Sequence, residues 1–239
     1  VSGQERNRLL AARHVSPEVY ENYLKGEFAL DKSNSKAGIE HSLAYFDKAI
    51  QEDPTFAPAY LGRAEVYIEL GTAFVGTRPG DVRPKVISLA QRALELDPQL
   101  SKAYLLLADV HEQQWQWAEA ESEYRRALEL DPNSSAAQGG YAIWLVCHGR
   151  AEEAVAWAQQ AREHDPLALS GIRMGWILFQ TRHYAEAIQE LRSAVAVSPD
   201  NAGALWFLGF ALIANGQSQE AIPVLEKVLS VSDRSAATI

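Results

Sequence analysis

The sequence has one cysteine, Cys147, and one methionine, Met174. A lone cysteine excludes a disulfide within the chain and leaves the redox compartment open. Basic runs are also missing: no cluster exceeds the Arg125-Arg126 pair, and the formal charge is −9. Phosphate binding needs a basic stripe, so nucleic acid is not an expected partner. No apolar run reaches the ~18 residues of a membrane span, so direct membrane insertion is not expected either. The chain opens at Val1 with no basic-then-apolar leader, which reads as a fragment with N-terminal neighbours. A cytoplasmic location is preferred to a periplasmic one.

Catalytic signatures are equally scarce. Gly139-Gly140 has no lysine downstream at the spacing of a phosphate loop, and close helix packing is its expected use. Cys147 and His148 are adjacent, which on a helix turns them about 100° apart and away from a common target. The six histidines show no i,i+4 pairing and there is no Cys-x-x-Cys, so no metal, cofactor or catalytic residues are expected. The acidic pairs Glu119/Glu121 and Glu152/Glu153 stand where helices begin, and the helix dipole accounts for them. Trp115 and Trp117 fall at a hairpin turn, where packing in the core or between repeats is the expected role.

What the sequence does have is a period. Proline preceded by Asp or Ser recurs at Asp53-Pro54, Asp97-Pro98, Asp131-Pro132, Asp165-Pro166 and Ser198-Pro199, with gaps of 44, 34, 34 and 33 residues. Proline biases the residue before it out of the α conformation, so one helix stops at each mark. Small polar residues after the mark, Ser101 and Ser134 for example, can cap the next helix. Small residues recur in the helix before each mark, at Ala120, Ala127, Ala154, Ala161, Ala187, Ala194 and Ala221, and allow close helix approach. Tyr124, Leu128, Leu191, Val195, Leu225 and Leu229 fill the space between.

A helix-turn-helix period of about 34 residues resembles the tetratricopeptide repeat. The match is fullest in Tyr104, Leu107-Ala108, Ala120, Tyr124, Ala127 and Pro132. Another unit matches with Tyr60, Ala64, Tyr67, Ala93 and Pro98, but has Arg63 at a normally apolar place. The last matches with Leu208-Gly209, Ala221 and Leu225, and has Asp233 where proline belongs. The resemblance implies an all-α, right-handed α-α superhelix of about six units: 16–56, 57–100, 101–134, 135–167, 168–201 and 202–232. Residues 1–15 read as a remnant of a preceding segment and 233–239 as a tail.

The long first gap reads as a loop over Gly71 to Pro84 with Phe74 and Val75 at its tip. The first unit is degenerate: its first helix keeps Tyr20, Tyr23 and Leu24, its second Ile39, Phe46 and Ala49. Three stretches, Ser16 to Gly26, Ala44 to Tyr67 and Trp115 to Pro132, resemble the C-terminal repeat region of large bacterial signalling proteins. There such arrays follow a winged-helix regulator, a kinase or a nucleotide cyclase.

In an array of this kind the first helix of each unit lines one surface, and residues at i, i+4 and i+7 form its stripe. The stripes read Ile172, Trp176, Phe179, with Arg173 beside them, then Trp206, Phe210, Ile213, with Phe207. The preceding unit offers Gly139, Ile143 and Val146. Nearer the N-terminus the stripe is acidic, with Glu65, Glu69, Asp109 and Glu112 alongside Lys102. Four aromatics on such a stripe exceed what a monomer ordinarily leaves in water. A partner polypeptide with apolar and basic parts covers them, or the chain covers them itself through neighbouring repeats or a homodimer. The expected function is a non-catalytic interaction scaffold. The alternative is a regulatory module acting in cis within a larger signalling protein.

Overall fold

The computed structural model describes residues 15–31, 36–71, 78–165 and 168–236. Among them are twelve α-helices and no strand, so the fold is an all-α tandem helical repeat. The chain divides into two compact units, Val1–Leu106 and Leu107–Ile239.

The first unit holds α1 (Pro17–Asp31), α2 (Lys36–Glu52), α3 (Ala57–Leu70), α4 (Pro79–Leu96) and the start of α5 (Ser101–Gln113). Pairs α1/α2 and α3/α4 pack as antiparallel hairpins, and α3 also packs on α2 and α1. Phe46 of α2, fully buried, is the knob of this packing. A β-carbon on Gly62 of α3 would lie 2.2 Å from its ring, so only glycine admits the two helices at this separation. Val19, Tyr23 and Leu30 of α1 join this core, whereas Tyr20, Leu24 and Phe28 are exposed. Of the three residues this degenerate helix keeps from the repeat pattern, Tyr23 packs in the core and Tyr20 and Leu24 face outward.

The expected loop over Gly71 to Pro84 is also corrected at its C-terminal end, since α4 already begins at Pro79. Proline in the first turn costs no backbone hydrogen bond, because that N–H has no partner in any helix. Pro84 does remove one bond, but Val82, Val86, Ala90 and Ala93 bury one continuous face and hold the helix through it. Phe74 and Val75 lie outside the described residues, as do residues 1–14.

The second unit holds the rest of α5, then α6 (Trp117–Leu130), α7 (Ser135–Cys147), α8 (Ala151–His164), α9 (Ala168–Gln180), α10 (Tyr184–Val197), α11 (Ala202–Ala214) and α12 (Ser218–Ala236). Helices α7/α8, α9/α10 and α11/α12 form hairpins, and each first helix also packs on the pair before it. The recurring alanines are buried as expected, with Ala120, Ala154, Ala187 and Ala221 each almost or wholly without exposure.

The joints follow from their residues. Asp97, Asp131, Asp165 and Ser198 all leave the helix with φ between −144° and −130° and ψ between 82° and 100°, the conformation a following proline imposes. The carboxylates of Asp53, Asp97 and Asp131 then accept the N–H two residues on, at 2.9, 3.0 and 3.2 Å, closing an Asx turn over the proline. Ser134 caps α7 by accepting the N–H of Ala137, and Asn201 caps α11 by accepting that of Ala204. Ser101 is itself the first residue of α5. No proline follows α12, which runs on through Asp233.

Candidate partner-binding face

Helices α7, α9 and α11 are the first helices of the three hairpins in the second unit, and their outward residues fall in register. Ile143 and Val146 on α7 are half-buried, as are Ile172, Trp176 and Phe179 on α9. On α11, Trp206, Phe210 and Ile213 are 54%, 41% and 45% exposed, well above the rest of the stripe. The Trp206 and Phe210 rings touch, with centroids 5.7 Å apart. Phe207, one residue round the helix, is half-buried. Helix α9 lies between α7 and α11, which explains why its stripe is the more covered one.

Beside this stripe, Arg173 of α9 lies across Gly139 of α7. A β-carbon there would sit 3.1 Å from the Arg173 Cδ, so the glycine makes room for the arginine stem. Arg173, Gly139, Ser135, Ala158, Asp165 and Met174 help to line a cavity of about 160 Å³. That is below the ~300–1,000 Å³ of a small-molecule site, so it suits a side chain or a few waters.

The acidic residues are engaged. The Tyr124 hydroxyl of α6 lies 2.7 Å from Asp109 Oδ1 and 2.8 Å from Glu112 Oε2. One hydroxyl hydrogen serves one carboxylate at a time, so a proton is held more readily here than in water. Burial pushes the Asp109 carboxyl up to about 6; the Tyr124 bond and the Arg173 charge oppose the rise, and Glu112 adds to it. Glu112 is raised by burial as well, against the Tyr124 bond and the charge of His148. In the first unit, Lys102 Nζ is 2.7 Å from Glu65, whose carboxyl burial raises and Lys102 lowers, while Glu69 is exposed. Lys102 therefore belongs with Glu65.

Two features escaped the sequence reading. Tyr124 was expected as core volume, and it is fully buried, yet its hydroxyl organises two carboxylates. The signal was available: the equivalent positions on α10 and α12 are Leu191 and Leu225, and a buried phenol in a leucine's place needs a partner. The other is Trp115, expected as packing and found 76% exposed.

Of the carboxylates expected at helix starts, three stand there, and Glu121, the fifth residue of α6, is corrected to an ion-pairing residue. Glu119, Glu152 and Glu153 lie in first turns, and Glu121 bridges Arg125 and Arg150 at 2.7 and 2.9 Å. Cys147 is exposed with its thiol pushed up by burial of the sulfur's surroundings and by Glu112; His148 turns its Nδ1 to the Trp144 carbonyl at 2.7 Å. Among the described residues no three His, Cys, Asp or Glu side chains gather as a metal site, and no helix is long and apolar enough to cross a membrane.

Residues 101–134 and 178–237 match family models described as tetratricopeptide repeat, and the repeats there are of that kind. Human protein O-mannosyl-transferase TMTC3 is 24% identical over 200 residues, covering 82% of this chain and 21% of that protein. The APC/C hetero-tetramer Cut9-Hcn1 superposes with a TM-score of 0.71 at 18% identity, over 92% of this chain and 45% of the other. The human IFIT1 dimer with m7Gppp-AAAA gives 0.75 at 22% identity, over 88% and 49%. The chain thus spans less than half the length of each of these relatives. At these identities the structures establish the shared fold. These matches do not show the resemblance to bacterial signalling proteins.

Proposed function

We propose that the chain is a non-catalytic protein–protein interaction module that binds a partner segment along the α7, α9 and α11 face of its second unit. The observation that carries this reading is the exposure of Trp206, Phe210 and Ile213 together on one side of α11, continuing the half-buried Ile172, Trp176 and Phe179. Three large apolar side chains on one helix face form the kind of patch that proteins cover. The partner is a segment with an apolar part for this stripe and a basic part for the carboxylates of Asp109 and Glu112.

Nucleic acid, which the human IFIT1 structure holds, fits less well. A chain with net charge −9, in which Arg173 acts on the half-buried Asp109 carboxylate, offers no run of cations to neutralise phosphates.

A random peptide display library panned on this chain tests the proposal. Enriched peptides should pair apolar with basic residues and should lose at least tenfold in affinity on Trp206→Ala/Phe210→Ala. Enrichment that ignores the double variant would sink the reading, and so would a dimer in light scattering that the same variant dissociates, because the face would then be self-covered.

Action in cis is the second reading. It is favoured by the fact that the matched stretch makes up 21% of the human transferase, where repeats are one part of a larger chain. Comparing the activity of a full-length gene product with and without its repeats tests it.

A further inference from the structure

Trp115, Gly149, Arg182 and Gly216 hold one structural place, the residue that turns the chain out of the first helix of each pair, 34, 33 and 34 residues apart. All four have positive φ, at 65°, 75°, 66° and 81°. In each case the next residue's N–H returns to the carbonyl five back, as Gln116 to His111 at 2.9 Å and Gln217 to Leu212 at 2.8 Å, which is a Schellman turn. Glycine is the residue this turn favours, because a β-carbon strains the left-handed conformation. A tryptophan there is held against its own backbone preference. Burial does not compensate, since Trp115 is 76% exposed.

The ring is the first of a series. Trp115 meets Trp117 edge-on with centroids 5.2 Å apart, and Trp117 meets His148 in the same manner at 5.0 Å. His148 stacks on Trp144 at 3.9 Å and is fixed there by its bond to the Trp144 carbonyl. Aromatic edges turned to neighbouring faces leave other ring faces, with their negative quadrupole, directed outward. The surrounding charge has the same sign. Glu119 stands in the first turn of α6, two residues after Trp117, whereas Glu112, whose carbonyl accepts the Trp115 N–H at 3.0 Å, has its carboxylate taken up by the Tyr124 hydroxyl. The nearby cation, Arg150, is taken up by Glu121 and Glu153 at 2.9 and 2.6 Å.

We infer that Trp115, Trp117 and His148 form a receptor for a guanidinium or ammonium side chain of a basic partner segment. Ring faces and the Glu119 carboxylate attract a cation together, whereas an apolar side chain gains nothing from Glu119. The receptor stands at the α5/α6 turn and does not depend on the α9 and α11 face.

Indole ¹⁵N spectra of the chain resolve its six tryptophans, and the probes are acetyl-Gly-Gly-Arg-Arg-Gly-Gly-amide and its citrulline counterpart. The arginine peptide should move the Trp115 and Trp117 signals, and the citrulline peptide should bind at least tenfold more weakly. Trp115→Gly should abolish the Trp117 shift while raising Tm by about 2–4 °C, because glycine relieves the turn. Trp206→Ala should leave the titration unchanged, which separates this site from the apolar face. Equal response to citrulline, retention of the shift in Trp115→Gly, or movement of the Trp115 signal with protein concentration alone would each overturn the assignment.

Discussion

Helices α9 and α11 carry the same pattern in the same register, yet Ile172, Trp176 and Phe179 are half-buried where Trp206, Phe210 and Ile213 are exposed. Neighbours make the difference. Helix α9 is packed by both α7 and α11, whereas among the described residues the one first-position helix against α11 is α9. Register selects the residue type and the adjacent pair decides its exposure. The half-buried stripe of α9 is thus the fairer measure of what an inner repeat presents to a partner.

The largest test of this comparison lies beneath the two helices. Leu191 of α10 is fully buried under Gly175, and Leu225 of α12 is half-buried under Gly209. Leu191→Ala should cost about 2–5 kcal/mol in urea unfolding and Leu225→Ala about half as much. Equal costs would mean that the two pairs are held alike. On the stripe itself, Trp176→Ala should cost about 1–2 kcal/mol, while Trp206→Ala should stay within about 0.5 kcal/mol and register in partner affinity instead. A Trp206 variant as unstable as the Trp176 one would break the comparison.

A smaller effect distinguishes α6, which has Tyr124 where α10 and α12 have leucine. Because burial raises the Asp109 carboxyl to about 6, above its ordinary value, the protonated form is favoured in the folded chain. The stability this supplies is full below about pH 4 and is lost as pH rises through about 6, on the order of 1–3 kcal/mol. Urea midpoints measured from pH 4 to 8 should fall for the parent chain, and Asp109→Asn should flatten that part of the profile. The smallest change concerns the turns: Arg182→Gly should stabilise by about 0.5–1 kcal/mol, read as a rise in Tm, since Arg182 has the φ of 66° that Gly149 and Gly216 adopt without strain.

The helices and joints were legible in the sequence because their causes are local. Asp-Pro marks, buried alanines and the capping Ser134 act within a few residues of where they stand. Pro84 was misread because the buried run of Val82, Val86 and Ala90 overrides what a proline does alone. For the candidate face the period placed the stripe residues in register, but their exposure depends on a neighbouring pair that no local pattern records. Tyr124 and Trp115 were legible as aromatic and not as sites. A hydroxyl's partners come from another helix, and the strain at Trp115 becomes visible only beside Gly149 and Gly216.

The shared geometry of the joints has an evolutionary consequence. Asp131 and Asp165 leave their helices with nearly the same φ and ψ, −138° and 88° against −136° and 90°, and each is followed by proline. Recombination between these two copies would delete residues 132–165 and rejoin Asp131 to Pro166, restoring the same joint. Copy number can therefore change by a whole hairpin without inventing a new connection, and lineages can lengthen or shorten such an array in steps of one repeat.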